Sequence, residues 1–472
     1  MISRYLFVTA VSAVSMLVSA QTARRTTVYL STDSTAKMEV FLPETPSGRA
    51  VVGCPGGGYS HLSINNEGLD WVSFFNEKGI AYGVLTYRMP KGDRSIPIAD
   101  ASAAMLTMRD SADVWQIRRD DVGIMGFSAG GHLASTISTH TDYAVRPDFT
   151  ILFYPVVSMN ERETHSGSVR GFLGDERNNE RLVKAFSNQN AVRRHLTPPA
   201  IILLANDDRA VPPVTNGIAY YAAMRRCGNE CALMVYPSGG HGFGMNPRFE
   251  YHEQMLSDLS TWLAHHKAPR RDAIRVACIG NSITDGMGID MASKNGYPAQ
   301  LQKLLGSQYV VKNFGVSSRT MLRKGDHPYM SELAWRDAQA FQPHLVIIKL
   351  GTNDSKTANW QHADEFEGDL TAMIDTLQAL PSKPRIVLAT PIPAFIDQWT
   401  ISDSVIIYGV IPKIRKVAKQ RKLAVVDLHT LMAGEGDKMQ RDGIHPTDKG
   451  AQRMAEIIAD ELKKLKVEAT KR

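Results

Sequence analysis

Ser128 is the first residue whose setting indicates nucleophilic chemistry. It is the central residue of Gly-Phe-Ser-Ala-Gly at positions 126–130, which fits the pattern Gly-x-Ser-x-Gly. Residues 122–125 are apolar and predict a buried strand, and residues 131–136 predict the start of a helix. A serine on a tight strand-to-helix turn projects its hydroxyl out of the sheet, and the flanking glycines avoid collisions with neighbouring backbone. We therefore predict a catalytic serine here rather than a plain glycine-rich turn.

Candidate partners for this serine follow it along the chain. A serine nucleophile needs a base and an acid that orients the base, and in sheets of this kind the acid precedes the histidine. Asp207 and Asp208 come directly after a predicted strand, and either could be the acid. His241 lies in a glycine-rich loop after the next strand and is the predicted base. His132, one helical turn past Ser128, is expected to pack its helix instead.

An oxyanion hole for Ser128 is predicted from two backbone positions. The residue after the serine, Ala129, should donate one N–H to the developing oxyanion. A second donor should come from a glycine-rich loop after an early strand, where bare backbone can approach the substrate. Gly57 and Gly58 lie in such a loop, directly after the predicted strand at residues 50–53.

A second set of chemical residues occupies the other half of the chain. Ser282 follows an apolar strand within Gly-Asn-Ser-Ile-Thr-Asp-Gly at positions 280–286. His445 lies just before the last predicted helix and can serve as its base, and Asp442, three residues earlier, can orient that histidine. Oxyanion donors are expected from the backbone N–H groups of Ser282 and Gly315 and from the side-chain amide of Asn353.

The first half of the chain resembles a known family of esterases. Residues from about 26 to 266 are similar to α/β-hydrolase esterases of the secreted feruloyl and acetylxylan esterase-like group. The motifs that carry this resemblance are Pro-Gly-Gly-Gly-Tyr (55–59), Tyr-Arg (87–88), Gly-Phe-Ser-Ala-Gly-Gly-His (126–132) and Gly-Gly-His-Gly-Phe (239–243). In that family the acid commonly precedes x-x-Val-Pro, which assigns Asp208. The chain departs from many lipase-like relatives, which have histidine before the glycine run, by carrying Cys54 and Pro55 there.

The second half resembles the SGNH (GDSL-type) hydrolases over residues 274 to about 466. The four blocks that carry the resemblance occur in order at residues 280–286, 313–317, 351–354 and 442–446. The segment Leu-Gly-Thr-Asn-Asp-Ser-Lys at 350–356 is similar to the carbohydrate acetylesterase branch. The resemblance implies a flavodoxin-like three-layer α/β/α domain, and that of the first half implies a doubly wound, mostly parallel sheet.

The elements that must hold these residues alternate between strand and helix. Such alternation favours parallel sheets with helices on both faces. Strands are predicted at residues 26–30, 37–42, 50–53, 80–87, 122–125, 150–154, 200–205 and 232–236, then at 275–280, 309–314, 345–350, 385–389 and 424–426. Helices are predicted at residues 66–78, 100–111, 215–226, 249–264 and 449–465. The polar segment 158–194 interrupts the alternation and is a candidate cap over the first site.

The organisation of the chain follows from its composition and its breaks. Hydrophobic residues make up 43% of its 472 residues, enough for large cores. A polar, proline-broken linker at 267–273 separates predicted domains at 22–266 and 274–468, and His265 and His266 are expected to be solvated beside it. Residues 1–20 fit a bacterial-type signal peptide, so we expect a secreted or periplasmic protein with no membrane attachment after cleavage.

Charge and cysteine content exclude several other classes. The net charge of +6 comes from scattered residues, which disfavours nucleic acid as a partner. Cys227 and Cys231 could close a small disulfide or remain free thiols, and Cys54 and Cys278 are expected in the core. No spacing indicates a metal site, and we expect no cofactor.

These observations predict a secreted enzyme with two independent Ser-His-Asp sites. The resemblances imply removal of acetyl, and also feruloyl, esters from plant polysaccharides such as xylan, xyloglucan or pectin. A prolyl-oligopeptidase-type peptidase in the first half, a lysophospholipase-type esterase in the second, and a binding module with one silent site remain alternatives. The polar and aromatic segments 319–329 and 359–360 could form a sugar-facing rim or be solvated loops.

Overall fold

The computed structural model describes residues 24–267 and 269–464. The predicted signal peptide, residues 1–20, lies outside the described residues. Within the described part of the chain, no helix is both long and apolar enough to cross a membrane.

The first sheet has eight strands in the order β1-β2-β4-β3-β5-β6-β7-β8. Its strands are β1 Arg24–Tyr29, β2 Lys37–Leu42, β3 Ala50–Cys54, β4 Ala81–Thr86, β5 Val122–Phe127, β6 Thr150–Phe153, β7 Ala200–Ala205 and β8 Cys231–Tyr236. Strand β2 pairs antiparallel with β1 and β4, and the remaining pairs are parallel. The central strands β3, β5, β6 and β7 are buried along their whole length, as expected for parallel strands covered on both faces.

Helices and a cap surround this sheet. The α-helices of this half are Val72–Asn76, Ser95–Asp110, Ala112–Trp115, Ser128–His140, Ser166–Leu173, Glu180–Phe186, Gly217–Arg226 and His252–His265. Separate apolar cores fill the two faces of the sheet. The predicted cap segment folds into the short helices between residues 166 and 190 and brings His165 beside Gly58, as a Cβ on Gly58 would lie 3.1 Å from its ring.

The second sheet has five strands, all parallel, in the order β10-β9-β11-β12-β13. They are β9 Ile274–Gly280, β10 Tyr309–Gly315, β11 Leu345–Lys349, β12 Arg385–Ala389 and β13 Ala424–Val426. This is the flavodoxin-like order, in which functional groups gather at the carboxyl ends of the strands where the winding direction reverses. Here that point lies between β9 and β11.

The helices of the second half cover both faces of this sheet, with one core on each face. They are Ser282–Asp285, Ala292–Asn295, Tyr297–Leu305, Leu333–Ala340, Thr357–Trp360, Phe366–Gln378, Asp403–Val405, Ile411–Arg421, Leu428–Leu431 and Asp448–Lys464, with a π-helical turn at Ile406–Val410. Two α/β domains, predicted from the alternating pattern, are thus confirmed.

The predicted helix at residues 66–78 is wrong in its first half. The described chain forms hydrogen-bonded turns there, followed by a 3₁₀ turn at Leu69–Trp71 and a short helix at Val72–Asn76. The cause is Glu67, whose carboxylate turns inward and accepts the Gly56 N–H at 2.8 Å. That contact holds residues 63–68 against the glycine-rich loop instead of letting them continue the helix.

The residue before the predicted linker, His266, packs against the first domain. The domain bounds and the linker at 267–273 stay a prediction, although β8 and its following helix end before this segment and β9 begins after it. The His266 ring stacks on Trp262 at 5.2 Å, and its carbonyl accepts a hydrogen bond from Arg49. His266 is therefore packed rather than solvated, whereas His265 is exposed as expected.

Two candidate active sites

Ser128 lies on a strained turn between β5 and the helix Ser128–His140. Its φ of +51° is in the left-handed region, which non-glycine residues rarely adopt outside such turns. The flanking glycines are required by close approach: a Cβ on Gly126 would lie 2.2 Å from the Gly130 carbonyl oxygen, and one on Gly130 would lie 2.1 Å from that of Cys54. The strand-turn-helix context predicted for the pentapeptide is therefore present.

The structure brings His241 and Asp208 to Ser128. His241 Nε2 lies 2.8 Å from Ser128 Oγ, and its Nδ1 lies 2.7 Å from Asp208 Oδ2. The other oxygen of Asp208 accepts the N–H groups of Ala210 and Val211, both at 2.9 Å, so that its direction is fixed. The arrangement can transfer a proton from the serine hydroxyl to the imidazole.

Asp207 does not contact the histidine side chain. Its Oδ1 accepts the Gly240 N–H at 2.8 Å and so holds the loop that carries His241. The imidazole also packs edge-on against Tyr154, with ring centroids 4.9 Å apart. Of the two aspartates left open by the residues alone, Asp208 is therefore the one that contacts the imidazole, and its role as the orienting acid stays a prediction.

The predicted oxyanion donors surround Ser128. Ala129 is the second residue of its helix, so its N–H has no partner within the helix. A Cβ on Gly56 would lie 2.9 Å from the Ser128 Cβ, which places the glycine-rich loop against the nucleophile. Gly57 and Gly58 follow with φ of +128° and +64°. Their role as oxyanion donors stays a prediction.

Glu67 is a residue of this site that the sequence analysis missed. Its two carboxylate oxygens accept the Gly56 N–H and the Tyr154 hydroxyl, each at 2.8 Å. Burial raises the pKa of Glu67. Tyr154 in turn accepts the Gly244 N–H at 3.0 Å, so the oxyanion loop and the histidine loop are tied to one carboxylate. No motif around Glu67 indicates this role, because its hydrogen bonds to Gly56 and Tyr154 form only when the loop at residues 63–68 packs against the glycine-rich loop.

Two further histidines lie near Ser128, and they differ in burial: His132 is buried and His165 is exposed. His132 is buried, with Nδ1 2.9 Å from the Tyr59 hydroxyl and Nε2 2.9 Å from the Phe186 carbonyl oxygen, and burial lowers its pKa to about 4. It therefore packs its helix, as expected. His165 in the cap has its Nδ1 3.0 Å from Ser168 Oγ, and partial burial of its ring, with His241 nearby, lowers its pKa.

The second site assembles at the carboxyl end of β9. Ser282 begins a single helical turn, and Asn281 caps that turn through the Ile283 N–H. His445 Nε2 lies 2.8 Å from Ser282 Oγ, and its Nδ1 lies 2.8 Å from Asp442 Oδ2. Burial acts to raise the pKa of Asp442, but the N–H groups of His445 and Ile444 and the His445 ring lower it overall. The carboxylate is therefore held ionised beside the imidazole.

The predicted oxyanion donors of the second site differ in whether their N–H groups already donate to another acceptor. Ser282 is the first residue of its helical turn, so its N–H has no partner within that turn. Asn353 donates one amide hydrogen to the Arg319 carbonyl at 3.1 Å, which leaves its second hydrogen. The Gly315 N–H donates to Asn313 Oδ1 at 2.8 Å. The role of Gly315 as an oxyanion donor stays a prediction. It requires the Gly315 N–H to donate to the oxyanion as well as to Asn313, or in place of Asn313.

The loops around the second site are braced by carboxylates. Asp354 is buried and accepts the N–H groups of Met321 and Leu322 at 3.0 and 2.8 Å, and burial raises its pKa to about 6. Asp285 accepts a hydrogen bond from the Ser317 hydroxyl. Both bracing roles agree with their position in the motif blocks.

The suggested rim at 319–329 and 359–360 turns its tyrosine and tryptophan inward, whereas Arg323, Lys324, Asp326 and His327 are exposed. Tyr329 is fully buried and donates to the Phe314 carbonyl at 2.6 Å, and Trp360 packs against Gly409. Asp326 receives hydrogen bonds from Asn359 and Lys356 at 3.0 and 3.1 Å. The segment is thus a hydrogen-bonded support, and its aromatic side chains do not offer open faces. All four cysteines are free thiols, with Cys54 and Cys278 buried as expected.

Comparison with known proteins agrees with the two folds. The alpha/beta hydrolase fold model matches residues 56–245, and that of the GDSL-like lipase/acylhydrolase family matches residues 278–453. An acetylxylan esterase of Xylanibacter ruminicola is 57% identical over 479 residues, which cover 98% of this chain and all of that protein.

Two further relatives align with part of the chain. The endo-1,4-beta-xylanase B of Butyrivibrio fibrisolvens is 34% identical over 203 residues, or 40% of this chain and 31% of the xylanase. The crystal structure of an acetyl ester-xyloside bifunctional hydrolase from Caldicellulosiruptor lactoaceticus is 27% identical, covers 52% of this chain and 98% of its own, and has a TM-score of 0.49. In this chain an α/β-hydrolase domain thus precedes a GDSL-like domain. From the match along the whole chain, this protein is a carboxylic ester hydrolase and belongs to the family of the Xylanibacter ruminicola acetylxylan esterase.

Proposed function

We propose that the protein is an exported carbohydrate esterase that removes acetyl groups from xylan at two serine sites. The observation that supports this proposal most directly is the same at both sites. Each serine Oγ lies 2.8 Å from a histidine Nε2, and the Nδ1 of that histidine is hydrogen-bonded to an aspartate. The names of the acetylxylan esterase and xylanase relatives support xylan as the polymer. Acetylated xyloglucan, acetylated pectin and feruloyl esters are further substrates to be tested.

Each site would act through an acyl-enzyme. Ser128 or Ser282 attacks the acetyl carbonyl while its proton moves to His241 or His445, and the oxyanion is held by the donors around each serine. The tetrahedral intermediate collapses, the C–O bond to the sugar breaks, and the imidazolium protonates the leaving sugar hydroxyl. Water then attacks the acetyl-serine with the same histidine as base, which releases acetate and restores the serine.

Two sites on one chain suit a polymer that carries esters at several positions. Once one domain has engaged the polymer, the other site samples neighbouring esters at a raised effective concentration. The signal-peptide pattern at residues 1–20 supports export to the compartment where such polymers occur.

The test is to replace the nucleophiles singly and together. Ser128→Ala and Ser282→Ala should each retain part of the acetate release from acetylated xylan, and the double variant should lose it by about 10³-fold or more. Acetate release should be measured enzymatically, in parallel with methyl ferulate, acetylated xyloglucan and acetylated pectin. Full activity in the double variant would contradict the proposal.

Covalent labelling and substrate preference distinguish the alternative functional hypotheses. A fluorophosphonate probe should label both serines, and a domain that stays unlabelled would be a silent module. Preference of the Ser282→Ala variant for dipeptide anilides over acetyl esters would indicate a peptidase. Preference of the Ser128→Ala variant for lysophospholipids would indicate a lipolytic second domain.

A further inference from the structure

The segment after β12 presents open apolar side chains beside the second site. Phe395, Ile396 and Trp399 are 38%, 51% and 53% exposed, although most large apolar side chains of this domain are buried. They belong to residues 391–402, between β12 and the helix Asp403–Val405. We refer to residues 395–400 as the aromatic segment.

The aromatic segment is attached to the loop that carries the second histidine. The Phe395 N–H donates to the Gly443 carbonyl at 2.9 Å. A Cβ on Gly443 would lie 2.7 Å from Ile396 Cγ1, so the two loops are in van der Waals contact between Asp442 and His445. The base of the segment is fixed by the Ala394 N–H, which donates to Asp403 at 2.8 Å. The segment therefore keeps a defined position relative to the catalytic histidine.

Trp399 brings its ring beside that of His445. Its ring centroid lies 5.8 Å from that of the His445 imidazole, at an interplanar angle of 56°. Trp399 and Thr400 have φ of +53° and +60°. The left-handed region is unfavourable for bulky and β-branched residues, so the chain carries local strain where it exposes the indole.

We propose that Trp399 is the platform on which the sugar ring that bears the ester stacks when Ser282 attacks. The inference rests on the proposed function. The attacked carbonyl must reach Ser282 Oγ, which is 2.8 Å from His445 Nε2, and the sugar attached to that ester then lies within about one ring of the indole. Aromatic side chains at binding sites supply a large rigid apolar surface, and the C–H face of a pyranose matches it.

The test compares a polymeric with a minimal ester in the Ser128→Ala background, where only Ser282 can act. Trp399→Ala should lower the ratio of kcat/KM on acetylated xylan to kcat/KM on 4-nitrophenyl acetate by about tenfold. Trp399→Phe should restore most of that ratio. Tyr29→Ala, which removes a 61% exposed aromatic on β1, is the matched control and should leave the ratio unchanged. The Tm of each variant verifies folding.

Each other outcome overturns the platform. An unchanged ratio, or an equal loss on both esters, would show that Trp399 serves only the packing of His445. A selective loss on long-chain 4-nitrophenyl esters would assign the indole to an acyl chain. If the Ser128→Ala parent itself released no acetate from any acetylated polysaccharide, the proposed function of this site and the platform would both fail. The preceding outcomes, in which that parent stays active, overturn the platform alone.

Discussion

Lys349 is a buried lysine whose side chain reaches Asn281, the residue before Ser282. It ends β11, its side chain is fully buried, and its Nζ is 3.5 Å from both Asn281 Oδ1 and Thr352 Oγ1. Burial lowers the pKa of Lys349 to about 7. Between that pH and the ordinary lysine pKa near 10.4, the unfolded chain binds more protons than the folded one. The contribution of Lys349 to stability is therefore least favourable below pH 7 and improves as the pH rises toward 10.

Lys349→Met should accordingly raise the Tm at pH 7, and the gain should shrink as the pH approaches 10. The variant removes the cost of burying an ammonium group, and 1 kcal/mol shifts the Tm of a domain of this size by about 2–4 °C. Differential scanning calorimetry of the parent protein and of Lys349→Met from pH 6 to pH 10 measures the difference in Tm. A gain that is the same at every pH would contradict the assignment.

Lys312→Met is the matched control for that experiment. Burial acts to lower the pKa of Lys312, but Tyr143 and Asp148 raise it overall, and its Nζ lies 2.9 Å from the Tyr143 hydroxyl. A raised lysine pKa stabilises the folded state below about pH 10, where the charge is present. Lys312→Met should therefore lower the Tm at pH 7, opposite in sign to Lys349→Met.

At the scale of elements, the first site depends on two loops that share one carboxylate. The glycine-rich loop after β3 meets Glu67 through the Gly56 N–H, and the histidine loop after β8 meets it through Tyr154 and the Gly244 N–H. Tyr154 directly follows β6 and has φ of +31°, so the connection runs through the turn after the neighbouring strand. Loss of this carboxylate leaves the Gly56 N–H without its partner and frees both loops.

Glu67→Ala should lower kcat of the Ser128 site by about 10- to 100-fold with a smaller change in KM, because the oxyanion donors lose their fixed position. The measurement uses 4-nitrophenyl acetate in the Ser282→Ala background. Tyr154→Phe, which breaks the same connection, should shift kcat in the same direction and combine with Glu67→Ala less than additively. Full additivity, or an effect on KM alone, would show that Glu67 does not position the loop.

At the scale of the whole molecule, the first domain contacts the nucleophile loop of the second. His195 Nε2 lies 2.7 Å from the Asp285 carbonyl oxygen and 3.3 Å from its carboxylate, and Arg194 donates to the Gly286 carbonyl at 3.3 Å. Burial acts to raise the pKa of Asp285, but His195 is among the groups that lower it overall. A buried ion pair between Arg146 and Asp337, 2.7 Å long, fastens the two domains elsewhere. The second site is thus supported by residues of the first domain.

His195→Ala should slow the Ser282 site and spare the Ser128 site. We expect kcat on 4-nitrophenyl acetate to fall about tenfold in the Ser128→Ala background, since the loop that starts at Ser282 loses its support, and to stay within about twofold in the Ser282→Ala background. Arg225→Ala is the control, because it removes an exposed interdomain pair with Asp290 and leaves the contacts of His195 with Asp285 in place. Equal losses in both backgrounds would indicate general destabilisation instead.

Motif residues were accessible from sequence because their spacing reflects fixed local geometry. Gly126 and Gly130 mark the turn at Ser128 because no side chain fits there. Asp442 reaches His445 because the two lie three positions apart on one loop. Glu67, His195 and Trp399 were not predicted. Each contacts a loop of a candidate site through the way the chain folds back, and no local pattern encodes such a contact.

The sequence by itself determined two α/β domains and the candidate nucleophiles, histidines and acids, since strand periodicity and turn chemistry are local properties. The tertiary structure decided which aspartate meets His241, which backbone N–H groups already have partners, and which aromatic faces are open. Those outcomes depend on how loops from different strands pack together at one edge of a sheet. Trp399 is exposed and Tyr329 is buried although both are aromatic residues in loops of the same domain, because only the fold decides which loop covers the other.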